Sequence, residues 1–215
     1  MKQQRELQIK ELKKLDRQLK QSDKNYKRAK RVFLIWTLIA VALGTLALIK
    51  DSGGITGIIT FAALVGIGAW IFSEAYTKRQ RTRESIAFLK NKNLLTSVVV
   101  HSDKFYQLKE VNDEGEHYLY QLDNNSVFSF GGQDFYPRKK FPSDQFEIVE
   151  GRGINDEILL LEIYSSGNKI QPTRVISGQE KLDLFANPNY PDPEKLTVVE
   201  GRIEDFVQQD TTIKR

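Results

Sequence analysis

Two histidines are the chain's only imidazoles, and both lie among carboxylates. His101 stands beside Asp103, and His117 beside Asp113, Glu114 and Glu116. Imidazole and carboxylate together suit a divalent metal. Asp113, Glu114 and Gly115 read as a turn, however, where acidic side chains are ordinarily solvated. No metal ligand is therefore assigned.

A second stretch, Tyr136-Pro137-Arg138-Lys139-Lys140-Phe141-Pro142, sets three cations between aromatic residues. That pattern suits a lipid headgroup or an acidic protein surface. Tyr136, Arg138, Lys139, Lys140 and Phe141 are the candidate partner-binding residues. A nucleic acid would need more positive charge around them than this region supplies.

No catalytic constellation can be assembled. Gly151-Arg152-Gly153 lacks the third glycine of a dinucleotide loop. There is no phosphate-binding G-x-x-x-x-G-K-[ST] run, no G-x-S-x-G elbow and no H-E-x-x-H pair. Without cysteine there is no disulfide, thiolate ligand or thiol nucleophile. An enzyme is the last of the function classes to expect, and no cofactor is implied.

The elements that carry these residues follow from charge and hydropathy along the 215 residues. Residues 1–31 carry a net charge of +8, residues 77–95 of +5, and residues 96–215 of −8. Between the two basic segments lie Val32–Ile49 and Ile55–Phe72, each 18 residues long and uncharged. Each spans about 27 Å as a helix, close to the roughly 30 Å hydrocarbon layer. The sequence thus predicts two membrane spans, 32–49 and 55–76, joined by a short extracytoplasmic turn at 50–54. The polar leader is too long for a signal peptide.

Basic flanks put both termini on the cytoplasmic side, facing anionic lipid. Trp36, Trp70 and Tyr76 form an aromatic belt at that interface, followed by Lys78, Arg79, Arg81 and Arg83. Ala40/Gly44 and Ala62/Gly66 have the small-xxx-small spacing that lets two helices approach. No ionisable group lies mid-span, so nothing suggests an ion or proton path.

Residues 1–31 are rich in helix formers. Leu12, Leu15 and Leu19 follow a/d spacing for barely two heptads, short of a coiled coil. The favoured reading is an antiparallel stalk with the basic juxtamembrane helix 77–95, which hides the leucines of both.

From residue 96 the pattern turns to period two, and seven or eight short strands are expected over 96–207. Ile158–Tyr164 reads as the most buried of them. Pro172 marks 169–176 as an edge strand, and 179–186 reads as a short helix. The Val-Glu-Gly-Arg echo at 149–152 and 199–202 reads as two strands ending in one local turn geometry. Residues 208–215 form a tail.

The fold class is thus an α+β membrane protein: an N-terminal helix, an antiparallel transmembrane hairpin and a cytoplasmic β-rich domain, a small barrel or sandwich. The leading expectation is a two-span, bacterial-type inner-membrane protein that docks a protein partner as a scaffold or regulatory factor. The alternative is a homo-oligomeric pore or membrane-disrupting effector gated by the β domain.

Overall fold

The computed structural model describes residues 2–49, 54–122, 125–187, 190–192 and 195–207. The turn expected at 50–54, except for Gly54, and the tail 208–215 lie outside them. The chain divides into a helical unit, Glu6–Leu94 with Gly151–Leu160, and a β unit formed by the remainder.

In the helical unit α1 runs Ile9–Ile49 and α2 runs Ile55–Lys92. At the start of α1 the Glu11 carboxylate accepts the Gln8 amide at 2.6 Å, half of a capping box. The end of α2 is closed by Asn93 in the left-handed region (φ 51°), whose amide donates to the Leu89 carbonyl at 3.0 Å. Lys90 and Lys92 lie in that last turn, where cations oppose the helix dipole.

The two helices pack antiparallel in one continuous register. Lys90 meets Asp16 at 2.6 Å, and Arg79 meets Asp23 at 2.6 Å. Phe72 stacks on Phe33 with centroids 5.0 Å apart. The Trp36 indole donates to the Leu64 carbonyl at 2.9 Å. Further along, a Cβ on Gly44 would lie 3.1 Å from the Phe61 ring. Leu15, Ile86 and Leu89 are buried at the charged end, as a stalk requires.

The helix contacts correct the small-residue expectation in one half. Ala40 is buried and Gly44 lies under Phe61, so both fall on the contact face. Ala62 and Gly66 do not: both are exposed, and nothing approaches Gly66 within 4 Å. The stripe on α2 runs through Phe61, Gly68 and Phe72 instead. Gly68 lies about 200° around the helix from Gly66, and a Cβ there would sit 2.8 Å from Trp36.

α1 is long and apolar enough to cross a membrane, and its apolar window is only 6% buried. The Gly151–Leu160 segment belongs with the helices. The Gln18 amide donates to the Leu159 carbonyl at 2.9 Å, and the Ser85 hydroxyl donates to Glu157.

The strands form two sheets. The first is ordered β1 (Lys2–Arg5), β2 (Leu95–His101), β6 (Gln145–Arg152) and β7 (Ile158–Ser165). The second is ordered β8 (Arg174–Ile176), β3 (Phe105–Leu108), β4 (Glu116–Leu122), β5 (Ser126–Gly132) and β9 (Thr197–Glu200). β1–β2, β2–β6, β3–β4, β4–β5 and β5–β9 pair antiparallel, and β3–β8 pairs parallel. A short helix, α3, spans Gln179–Phe185.

Strand alternation gives the second sheet two apolar faces. Phe105, Tyr118, Tyr120, Phe128 and Phe130 join Val98, Val100, Phe146 and Ile148 of the first sheet in one core. Its rings pack closely: Phe105 on Tyr120 at 4.8 Å, and Tyr120 against Phe146 at 4.9 Å. On the opposite face Tyr106, Leu108, Leu119 and Val127 pack with Ile176, Leu184, Tyr190 and Ile203. The expected β-rich region is present, as two sheets whose residues share one core.

Several element readings change. Lys2–Arg5, expected to be helical, is a strand because β2 offers it a free ladder, with Lys2 opposite Val98 and Arg5 opposite Leu95. β7 is not the most buried strand; it lies at the edge of its sheet, mostly half-buried, and β4 and β5 are more deeply covered. The 169–176 strand shrinks to β8, which does lie at a sheet edge. The two Val-Glu-Gly-Arg copies differ: Gly151 continues β6, whereas Gly201 ends β9 with φ 130°.

The β3–β4 connection passes tightly over the end of β5 at Gly115 (φ 83°), where a Cβ would lie 2.3 Å from the Gly132 carbonyl carbon. Gly115→Ala is expected to cost about 2–5 kcal/mol, combining left-handed strain with a backbone collision. Urea unfolding of the full chain in detergent, followed by near-UV circular dichroism, measures it.

Candidate docking surface

The basic turn is built outward from the core. Phe135 and Phe141 are both buried and hold the segment at its two ends, with ring contacts to Phe130 and Phe146. Between them the Arg138 amide donates to the Phe141 carbonyl at 2.8 Å, and the Phe141 amide returns a bond at 3.3 Å. This closed turn leaves Arg138, Lys139 and Lys140 exposed. The Arg138 guanidinium reaches back to the Asp134 carbonyl at 2.9 Å.

Phe141 is therefore corrected as a contact residue. Its ring is spent on the core, where burying it is worth about 1.5–3 kcal/mol, and it is 2% exposed. Tyr136 is half-buried and donates its hydroxyl to Glu110 at 2.5 Å. That bond, with burial, pushes its phenol up to about 12. The surface thus offers three cations on a fixed turn, with Tyr136 as a brace beside them.

The brace continues inward. Glu110 belongs to the 109–115 connection, which also receives the Gln133 amide on the Asp113 carbonyl at 2.8 Å. Beneath it the fully buried Lys181 ammonium, from α3, donates to the Lys109 carbonyl at 2.9 Å and pairs with Glu114. Burial by itself would raise the Glu114 carboxyl. The bonds from Lys181 and from the Asn112 and Val111 amides outweigh that and hold it at about 2.

His117 lies on the same face of the sheet, 1% exposed, with Nε2 2.9 Å from Ser129 Oγ and Nδ1 3.3 Å from the Tyr190 hydroxyl. Burial, assisted by the Lys181 charge, lowers it to about 3, so the ring is neutral. His101 is exposed at the end of β2. Among the described residues no three His, Asp or Glu side chains gather as metal ligands.

On the helical unit Trp70 and Tyr76 are exposed, and Trp36 is partly so. Lys78 and Arg81 face outward, and the half-exposed Arg83 comes within 4.0 Å of Asp23. Arg79 makes the closer pair with Asp23, at 2.6 Å, and lies over the Tyr26 ring at 4.6 Å.

Lys181, Glu110 and Phe135 escape a reading of the sequence as positioning residues. One signal was legible: Lys181, Leu184 and Phe185 stand at i, i+3 and i+4, so the lysine shares the apolar stripe of α3. No known protein family matches the sequence, and no curated protein or solved structure matches it significantly.

Two outcomes follow for the brace. Glu114→Ala leaves a buried ammonium without its carboxylate and should cost roughly 3–5 kcal/mol. Lys181→Met should cost less, because the partly exposed Glu114 regains water. Urea midpoints of both variants check the order. His117 titrates near 6.5 when unfolded and about 3 when folded, so stability present above pH 6.5 is lost as pH falls toward 3. Glu114 adds a further loss between about 4.5 and 2. His117→Gln should flatten the upper part of that profile, measured by urea midpoints at stepped pH.

Proposed function

We propose that the chain is a two-pass membrane protein of the bacterial inner-membrane type, with both termini and the β unit in the cytoplasm. It acts there as a non-enzymatic docking protein for a partner with an acidic surface. The observation that carries the membrane part is the uncovered apolar band on both helices. Leu38 is 70% exposed, Leu46 56%, Ile58 and Ile59 62% and Trp70 69%. An exposed band of that size in water would aggregate; in lipid it is solvated.

The strand pairing supports the second crossing. β1 precedes α1 and β2 follows α2, yet the two hydrogen-bond to each other. If α1 crosses a bilayer, the chain must cross back before Leu95. The charge distribution supports a cytoplasmic location for those ends: the polar half of α1 and the segment after Tyr76 are strongly basic. For the docking part the support is the exposed Arg138-Lys139-Lys140 turn, fixed to the core at both ends on a domain of opposite net charge.

Because the chain has no cysteine, single-cysteine probes report topology unambiguously. Ser52→Cys should react with a membrane-impermeant maleimide added to intact spheroplasts, and Lys139→Cys only after lysis. Reversed labelling overturns the orientation. Replacing Arg138, Lys139 and Lys140 together by Glu should abolish recovery of the partner from native membranes while thermal stability is kept. Undiminished recovery retires the turn as the contact.

A further inference from the structure

A groove of about 420 Å³ runs along the helix pair, within the size range of small-molecule sites. Its α1 side is Ala29, Val32, Phe33 and Trp36, and its α2 side is Ile67, Gly68, Ile71 and Phe72. Gly68 shapes the floor, because the Trp36 ring lies where a side chain would otherwise stand. The Phe33–Phe72 stack closes one stretch of it. Polar side chains occur at one end only, Asn25 and Arg28.

We infer that this groove binds one anionic phospholipid, with an acyl chain along the apolar trough and the phosphate on Arg28. This rests on the membrane reading above and goes beyond it, from a general attraction to anionic lipid to one site. The groove straddles the boundary between the charged and uncharged parts of α1. Arg28 lies one turn before Val32, where the uncharged stretch begins. From Arg28 to Trp36 the helix rises about 12 Å.

Charge selects the headgroup. Arg28 is exposed and has no carboxylate partner among the described residues. Arg79, by contrast, is committed to Asp23. A guanidinium meets a phosphate through two parallel hydrogen bonds. Lys24, Lys27 and Arg31, all within about 100° of Arg28 around the helix, add positive charge around the mouth, which disfavours a headgroup that carries its own ammonium.

The test uses the full chain reconstituted in vesicles of equal parts phosphatidylglycerol and phosphatidylethanolamine. It is then released for native mass spectrometry. One phosphatidylglycerol should be retained per chain. Arg28→Gln should lower that retention about tenfold, the loss of a charge-assisted phosphate contact. Lys30→Gln removes the same charge about 200° around the helix and should leave retention unchanged. Equal loss in both variants, or equal retention of the two lipids, overturns the site.

Carbonate extraction of the vesicles separates the two readings. A chain that stays inserted but shows no Arg28-dependent retention sinks the lipid site alone. A chain that carbonate removes sinks the membrane reading and the site with it.

Discussion

The pairing of Lys2–Arg5 with Leu95–Val98 constrains everything between. Two helices of 41 and 38 residues are inserted between neighbouring strands of one sheet. The chain must therefore leave and return at one place, which requires antiparallel helices of matched length. The side-chain pairs that tie α1 to α2 satisfy this requirement in a single register: ions at the basic end, rings in the middle, and glycine against phenylalanine beyond. Sliding one helix by a turn would break the Asp16 and Asp23 pairs together and drive Trp36 off Gly68.

The second sheet plays the corresponding part in the β unit. With both faces covered, each of its central strands contributes alternately to an aromatic core and to a smaller mixed layer. The aromatic side supplies Phe130, against which Phe135 rests and toward which Phe141 turns. The mixed side contains His117, Ser129 and, through α3, Lys181. The basic turn is thus held from two directions: by rings below it and by a loop whose shape depends on one buried ammonium. Such a buried pair adds little net stability but is costly to break, so its contribution is to shape rather than to strength.

Much of this was legible in the sequence, for physical reasons. The uncharged runs at 32–49 and 55–72 and the basic segments beside them announce long helices, because each run is 18 residues without a charge and no proline interrupts residues 1–95. Alternation in His117–Leu122 and Ser126–Phe130 announces β4 and β5 for the same local reason. What failed was non-local. Lys2–Arg5 has no strand signature of its own; β2, supplied far along the chain, makes it one. Leu159 to Leu161 are apolar enough to suggest a central strand, yet topology puts them on an edge. Gly66 has the right spacing but the wrong azimuth, which only the partner helix reveals. In the candidate surface the three cations were readable. The fate of Phe141 was not, since an aromatic residue beside cations has the same sequence whether it points outward or inward.

During synthesis the first strand is made long before its neighbour. At roughly 5–20 residues per second, Lys2–Arg5 waits several seconds or more for β2 to leave the ribosome, while the apolar stretches pass through. A greasy strand left open for that interval would find the wrong company. Lys-Gln-Gln-Arg contains no apolar side chain, and charge on an unpaired edge is a standing defence against foreign strands. Its blandness lets the strand stand unpaired until β2 is made.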